Sequence, residues 1–345
     1  MSKQPNTSIS EFCATVGLMM TYRCTIACAH CIVKAGPNRT EEISEEEACK
    51  WLDELSNYGN KTVKAIAFTG GEPFYNIPLL KKVTDYAGEL GFVVTVVTNG
   101  YWASSQEKAL QVMCQLQNID VVAVSADVYH QQHIPIENVK NAIFAAQKLG
   151  KAFRVSLSTR KMEDPEYLSL KEHVLSFISE EDINTAIIIE AGRAENDCDT
   201  EAYTNDPSTA ACDMASFPVI FPNGDVIACI GPPITLPHNH PLYLGNLRKE
   251  KVKRILDRSK GNRLLHAIRA FGPIELIDLL KTHGYEKLLP KQYLPDSNCD
   301  VCLRLFRNPE ICHALNRIAE TDDFFAQKVF AGCKVYFDEE LYELL

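Results

Sequence analysis

Six short apolar runs alternate with stretches of helical length, and this alternation restricts the fold more than any other feature of the chain. The runs are Val16–Met20, Val63–Thr69, Phe92–Thr98, Ile119–Ser125, Phe153–Ser158 and Thr185–Glu190. The amphipathic stretches between them are Ser44–Tyr58, Pro78–Leu90, Ser104–Gln117, Ile136–Leu149 and Pro165–Glu180. Repeated β–α units of this kind predict an α/β fold with a parallel sheet and right-handed crossovers.

Residues of unusual chemistry directly follow the predicted strands. After successive strands come a cysteine-rich loop, Gly70-Gly71-Glu72-Pro73, Thr98-Asn99-Gly100, Ser125 with Asp127, Ser158 with Arg160, and Gly192-Arg193. Ligands of parallel sheets bind at the carboxyl ends of the strands. The sequence therefore predicts one site to which all these segments contribute.

The loop after the first strand carries Cys24, Cys28 and Cys31, spaced C-x3-C-x2-C. Three thiolates on one tight loop can hold three corners of a [4Fe–4S] cluster. The next cysteine, Cys49, lies in a predicted helix, so one iron is expected to stay open to a ligand that the protein does not supply. An open iron indicates a reaction site rather than a simple electron carrier.

Composition excludes several other classes of protein. The net charge of −10 argues against an extended electrostatic binding surface for nucleic acid. We see neither an apolar run of about 20 residues, as a membrane span needs, nor an export signal in Met1–Ser10. We therefore expect a cytoplasmic protein without membrane or nucleic-acid partners. Thirteen cysteines in a reducing compartment indicate metal or cluster ligation rather than disulfides.

The pattern changes near residue 196, where the strand–helix alternation stops and cysteines recur. Residues 217–229 read as a β-hairpin, and residues 248–290 read as helical. The cysteines of this part are Cys198, Cys212, Cys229, Cys299, Cys302, Cys312 and Cys333.

The cysteine loop and Gly70–Pro73, at this spacing in a β/α frame, resemble the radical S-adenosylmethionine (SAM) superfamily. The resemblance implies a partial (βα)6 barrel over residues 14–195, with Cys24, Cys28 and Cys31 holding the core cluster. It also implies that SAM binds the open iron and is contacted by Gly70, Gly71, Glu72, Pro73, Ser125, Asp127 and Arg160. His30 departs from the family pattern, in which the residue before the third cysteine is more often aromatic.

The same resemblance implies a mechanism. A reduced cluster passes one electron to SAM, and the 5′-deoxyadenosyl radical that results removes a hydrogen atom from the substrate. An electron donor such as flavodoxin or ferredoxin is the partner that this chemistry requires.

The C-terminal cysteines resemble the SPASM/twitch extension of this superfamily, which implies a cysteine-rich α+β domain over residues 196–345. One interpretation is a single auxiliary [4Fe–4S] cluster held by Cys212, Cys229, Cys299 and Cys302. The other adds an incomplete second cluster at Cys312 and Cys333, because Asn308 stands where the full pattern has a cysteine. A zinc site is a third possibility, since C-x2-C is also a zinc motif. The role of Cys198 stays open.

The branch with this extension mostly modifies peptides or proteins, so the resemblance favours crosslinking, epimerisation or oxidation of a peptide side chain. The short segment before the first strand weakens this interpretation, because it is too short for the appended peptide-recognition domain that many such enzymes carry. A separate peptide-recognition protein is therefore a further expected partner. The alternatives are a carbohydrate or nucleoside dehydrogenase of the same superfamily and, in another class, a non-catalytic iron–sulfur regulator. The histidines of the loop after strand four, His130 and His133, are either substrate contacts or solvated side chains.

Overall fold

The computed structural model describes residues 11–196 and 203–345. One nine-stranded sheet runs through it, in the order β6-β5-β4-β3-β2-β1-β7-β8-β9. Strands one to six are parallel to their neighbours, as the β–α alternation predicts. The strands are β1 (Thr15–Thr21), β2 (Ala65–Gly70), β3 (Val93–Thr98), β4 (Val121–Ser125), β5 (Ala152–Thr159), β6 (Ile183–Ile187), β7 (Val219–Ile220), β8 (Asp225–Ile227) and β9 (Tyr243–Asn246).

Helices connect the first six strands. They are α1 (Glu45–Ser56), α2 (Ile77–Glu89), α3 (Gln106–Met113), α4 (Val128–Gln131), α5 (Ile136–Lys148) and α6 (Pro165–Leu175). Strands β1 and β6 are separated by the whole width of the parallel sheet and do not pair with each other. The barrel is therefore open, which confirms the predicted partial (βα)6 architecture.

Local capping sets most of the helix ends. The Ser44 hydroxyl accepts a hydrogen bond from the Glu47 amide at 3.1 Å, so the predicted capping box begins α1. Gly91 and Gly150 have φ values of 86° and 67°, as expected just past α2 and α5. The third helix is shorter than predicted at both ends, since the hydroxyl of Ser105 caps its start and Cys114 is the C-cap at its end.

The C-terminal part is mainly helical. The predicted helical region 248–290 is divided at Gly261 and Gly272 into α7 (Val252–Lys260), α8 (Arg263–Phe271) and α9 (Ile274–Thr282). The helices that follow are α10 (Asn298–Phe306), α11 (Pro309–Thr321) and α12 (Asp323–Phe337).

The predicted hairpin joins the two parts of the chain. Strand β7 pairs with β1 in parallel, with Gly17 opposite Val219 and Leu18 opposite Ile220, and β8 returns antiparallel to β7. A single hydrophobic core also contains residues of both parts. The domain boundary predicted near residue 195 thus separates two sequence patterns, while the hydrogen-bonded sheet continues across it.

Within the ranges that the structure describes, no helix combines the length and the apolar character that a membrane-spanning segment requires.

One buried ionisable group in the C-terminal core bears on stability. His266 on α8 is 0% exposed, and its ring packs on Phe12 with 4.5 Å between ring centroids. Burial and the neighbouring charge of Arg269 lower the pKa of His266 to about 3. The native protein therefore keeps this imidazole neutral, whereas the unfolded chain protonates it near its ordinary value of 6.5.

We expect this difference to make stability fall as the pH drops from about 6.5 toward 3, because the unfolded state binds a proton that the native state excludes. Each such proton contributes a slope of about 1.4 kcal/mol per pH unit. His266→Phe keeps a ring against Phe12 and should remove that share of the slope. Denaturant midpoints of both proteins between about pH 5 and 7 test this. Equal slopes in the two proteins would contradict it.

Candidate active site

The predicted strand-end segments meet around one cavity of about 420 Å³. The cysteine loop, the first glycine pair and the ends of β3 to β6 line it, together with residues of the C-terminal part. None of the described lining residues is Asp, Glu, Lys or Arg. The lining includes Cys24, Cys28, His30, Cys31, Gly70, Gly71, Asn99, Ser125, His130, Ser158, Ile187, Ile189, Val219, Phe221 and Ile230.

The three loop cysteines face this cavity together. Burial raises the pKa of Cys24 to about 11, and the neighbouring Cys28 and Cys31 contribute to the rise. The loop closes with a hydrogen bond from the Cys31 amide to the Cys28 carbonyl at 3.2 Å. Among the donors that reach its sulfur atoms, Asn99 Nδ2 lies 3.6 Å from Cys24 Sγ, and the Ala35 amide lies 3.4 Å from Cys31 Sγ.

The spacing of the thiols distinguishes between kinds of metal site. In a tetrahedral zinc site, Zn–S bonds of about 2.3 Å place the sulfur atoms about 3.8 Å apart. In the described parts of the chain, no three cysteine sulfurs lie within 4.8 Å of one another. This wider spacing fits a cluster, whose cysteines bind separate iron atoms, better than a single zinc ion. The donor set thus fits a [4Fe–4S] cluster.

Arg193 holds the cysteine loop from the far end of the parallel sheet. Its Nη1 donates to the Cys28 carbonyl at 2.6 Å, and its Nη2 donates to the Ala35 carbonyl. The Arg193 amide also donates to the Cys31 carbonyl at 3.1 Å. Sequence reasoning placed this arginine at the correct edge of the sheet but did not identify its role, since its partners are backbone atoms.

Gly70 and Gly71 allow the turn after β2 to contact the backbone that leads into the cysteine loop. A Cβ on Gly71 would lie 2.3 Å from the Arg23 carbonyl oxygen, and one on Gly70 would lie 2.6 Å from that of Thr21. Gly70 also has a φ of 152°. The Gly71 amide donates to the Thr21 carbonyl at 2.6 Å, and the Glu72 amide to that of Arg23 at 2.9 Å. The glycines therefore fasten this turn to the cysteine loop.

Glu72 and Pro73 are buried and organise the same region. Pro73 begins a short 3-10 turn, Pro73–Asn76. The Glu72 carboxylate accepts hydrogen bonds from the Thr98 hydroxyl at 2.8 Å, the Asn99 amide at 2.7 Å and the Phe74 amide at 3.1 Å. Burial raises the pKa of Glu72 to about 7 against these hydrogen bonds. Neither Glu72 nor Pro73 is among the residues that line the cavity.

Asp127 connects two histidines beside the cysteine loop. Its carboxylate lies 2.9 Å from His130 Nδ1 and 3.5 Å from His30 Nε2, and it caps α4 by accepting from the amides of Tyr129 and His130. Burial alone would raise the pKa of Asp127, but the bond from His130 and the charges of both histidines lower it. The structure thus gives Asp127 two histidine partners, and the SAM contact expected for it from the sequence stays a prediction.

His130 lines the cavity, whereas His133 is exposed. Burial acts to lower the pKa of His130, yet its hydrogen bonds with Asp127 and with the Cys28 thiol raise it to about 10. Burial lowers the pKa of His30. Ser125 faces the cavity as predicted, while Arg160 is half-buried and not part of the lining.

A second group of cysteines forms in the C-terminal part. Both Cys229 Sγ and Cys299 Sγ lie close to the position that a Cβ on Gly231 would take, at 3.4 and 3.6 Å. Burial raises the pKa of Cys229 to about 12 and that of Cys302 well above its ordinary value, and charges on Cys212 and Cys299 add to both shifts. The structure thus brings Cys212, Cys229, Cys299 and Cys302 together.

Cys312 and Cys333 lie elsewhere. The Cys312 thiol donates to the Phe306 carbonyl at 3.5 Å, and burial raises its pKa to about 11 without a contribution from another cysteine. Cys333 is buried on α12 near Arg269 and Glu339. Asn308, which replaces a cysteine of the full pattern, caps α11 by accepting from the Glu310 amide at 2.9 Å. Cys198 lies outside the described residues.

We expect Gly71→Ala to disrupt the cysteine loop, because the new Cβ would overlap the Arg23 carbonyl. Overlaps in packed regions cost about 1–3 kcal/mol. The variant should have a lower denaturant midpoint and should retain less iron after anaerobic reconstitution. Gly91→Asn is the matched control, because nothing lies within 4 Å of a Cβ there and Asn tolerates the left-handed backbone. Wild-type iron content in Gly71→Ala would refute the expectation.

Comparison with known proteins agrees with this geometry. Residues 18–166 match the family model of the radical SAM superfamily. "Putative peptide biosynthesis protein YydG" of Bacillus subtilis (strain 168) is 24% identical over 306 residues, covering 86% of this chain and 93% of that protein.

Two further relatives are each 30% identical to this chain over shorter segments, which cover smaller shares of both sequences. One is to the Fe-coproporphyrin III synthase of Methanosarcina barkeri (strain Fusaro / DSM 804), over 37% of this chain and 30% of that protein. The other is to the antilisterial bacteriocin subtilosin biosynthesis protein AlbA of Bacillus subtilis (strain 168), over 31% of this chain and 23% of that protein. Together with the cysteine loop and its cavity, these findings show that residues 18–166 of this chain form a radical SAM superfamily domain.

Proposed function

We propose that this enzyme modifies a peptide or protein side chain, with Cys24, Cys28 and Cys31 holding its core [4Fe–4S] cluster and SAM bound beside it. The observation that carries the proposal is the convergence of these three cysteines on one cavity at the carboxyl ends of the parallel strands. When bound, the reduced cluster and SAM supply one-electron hydrogen-abstraction chemistry.

The residues around the cavity have three tasks. Arg193 and the Gly70–Gly71 turn fix the loop that presents the thiols. Apolar side chains from β6 and β7 and the segments that follow them exclude water, which limits side reactions of a reactive species. Ser125, Ser158 and the backbone of Gly70 and Gly71 offer polar groups to SAM at the cavity wall.

Two observations support a peptide substrate. The relative whose name refers to peptide biosynthesis is similar along 93% of its own length, so the similarity includes the C-terminal part. The cavity lining carries no Asp, Glu, Lys or Arg among the described residues, and its basic group, His130, is paired with Asp127, which favours an uncharged group over a phosphorylated metabolite. A flavodoxin or ferredoxin as electron donor and a separate peptide-recognition protein complete the proposal.

A small-molecule substrate is the second candidate. The relative named for Fe-coproporphyrin III synthesis supports it, but that similarity covers only 37% of this chain. A carbohydrate or nucleoside would also be compatible with a lining that carries no Asp, Glu, Lys or Arg among the described residues. The peptide proposal is therefore the one that the similarity along the whole chain supports better.

We further propose that Cys212, Cys229, Cys299 and Cys302 hold one auxiliary [4Fe–4S] cluster. Their grouping supports four protein ligands, and the separate contacts of Cys312 and Asn308 argue against a second auxiliary cluster. A fully ligated cluster of this kind can accept an electron from a substrate radical.

The substrate class can be tested with a peptide encoded beside the gene. The reconstituted enzyme, SAM and dithionite are incubated with that peptide in D₂O, and the product is measured by mass spectrometry. Deuterium uptake indicates epimerisation, and loss of a hydrogen pair indicates crosslinking or oxidation. An unchanged peptide, together with deoxyadenosine formation that responds to added sugars or nucleosides, would support the second candidate instead.

We expect the triple variant Cys24→Ala, Cys28→Ala, Cys31→Ala to lose SAM cleavage while retaining the auxiliary iron. Deoxyadenosine formation under reducing conditions and iron per chain are the two measurements. The regulator alternative predicts no deoxyadenosine even from the wild-type protein. Cleavage that persists in the triple variant would refute the core assignment.

We expect Cys229→Ala with Cys302→Ala to lower the iron content by about four atoms per chain, since one cubane is lost. The matched control is Cys312→Ala with Cys333→Ala, which removes two equally buried thiols from outside the group. That control should bind as much iron as the wild-type protein. A loss of iron in the control would instead support a second auxiliary cluster.

A further inference from the structure

The Asn99 side chain contacts the cysteine loop from the end of the third parallel strand. It directly follows β3 and is 4% exposed. Its Nδ2 donates to Cys24 Sγ at 3.6 Å and to the Thr25 hydroxyl at 3.2 Å. A neutral amide donor is thus directed at one of the three sulfur atoms assigned to the core cluster.

Hydrogen bonds of the side chain and of the backbone fix the orientation of the Asn99 amide group. Asn99 Oδ1 accepts from the Tyr101 amide at 3.0 Å, which leaves Nδ2 directed at Cys24. The Asn99 backbone amide donates to Glu72 at 2.7 Å, and the same carboxylate accepts from Thr98 at 2.8 Å. A flipped amide would set Nδ2 against the Tyr101 N–H, donor against donor, so these hydrogen bonds favour the orientation in which Nδ2 faces Cys24.

A donor at a cluster sulfur favours the state with more negative charge. Reduction adds an electron to the cluster, and hydrogen bonds to cysteine sulfurs are among the factors that set cluster potentials. The surroundings of Asn99 are buried and poor in charge, so screening by water is weak. Removing the donor should therefore make the core cluster harder to reduce.

We propose that Asn99, oriented by Glu72, raises the reduction potential of the core cluster through its hydrogen bond to Cys24. This inference rests on the proposed function, because it takes Cys24 as a cluster ligand. Asn99 is a positioning residue: it acts on the cluster through a sulfur atom and supplies no ligand itself. The corresponding donor at Cys31 is the Ala35 backbone amide, which substitution cannot remove.

The test is a redox titration of the reconstituted, full-length protein followed by electron paramagnetic resonance. The core cluster is identified as the signal that changes when SAM is added. In Asn99→Ala we expect the equilibrium constant for its reduction to fall about tenfold, which is about 59 mV for a one-electron couple. Asn99→Asp keeps the acceptor for Tyr101 but loses the donor, and it should shift the core signal in the same direction.

Two controls separate this effect from general damage. Asn138→Ala removes another buried amide, which donates at 3.2 Å to the carbonyls of Gly100 and Tyr101 and not to a cysteine, so it should leave the potential unchanged. The auxiliary signal in each Asn99 variant should also titrate as in the wild-type protein. Wild-type core potentials in both Asn99 variants would overturn the inference alone. A wild-type protein without a reducible, SAM-responsive signal would overturn the proposed function as well.

Discussion

The contact between the Gly70–Gly71 turn and the backbone of residues 21–23 is the constraint on which the rest of the site depends. Two chain segments approach so closely there that a single Cβ would overlap a carbonyl oxygen. The turn can then donate two amide hydrogens to the segment that leads into the cysteine loop. The position of the loop is set by β1 and β2. These strands pair in parallel from Thr15 opposite Ala65 to Thr21 opposite Gly70, with a register shift after Met19.

Glu72 extends this constraint to the third strand. Its carboxylate joins the turn after β2 to Thr98 and Asn99 after β3, so that three successive strand ends form one hydrogen-bonded unit. Arg193 closes the loop from beyond β6 by binding two of its carbonyls. The cysteines therefore lie in a frame whose parts come from both edges of the parallel sheet.

Strand and helix periodicities are local properties, and they predicted the parallel sheet and the edge at which the site lies. The open barrel was implied by the resemblance to the radical SAM superfamily. Sequence patterns also predicted the cysteine loop and Ser125 as lining residues. The roles of Arg193, Asn99 and Asp127 could not be read in this way. Arg193 donates to the backbone carbonyl of Cys28, which is 165 positions away. A contact with a backbone carbonyl does not depend on the side chain there, so the pattern of residue types does not reveal it. Asp127 binds side chains next to the site, so its position after β4 did not distinguish a ligand of SAM from a support for His130.

The C-terminal cysteines show the same limit of prediction from sequence patterns. Spacing alone allowed Cys312 and Cys333 to join the auxiliary group, and only the packing of α10 and α11 separates Cys312 from it. All these thiols share one property that bears on assembly. Burial raises the pKa of Cys24 to about 11 and that of Cys229 to about 12, so without metal they are neutral and pack as small apolar groups. Metal binding requires thiolates, so loading of each cluster must release protons from a fold that is already formed. The same buried positions can therefore serve as a protonated apolar core and, once deprotonated, as a cluster site.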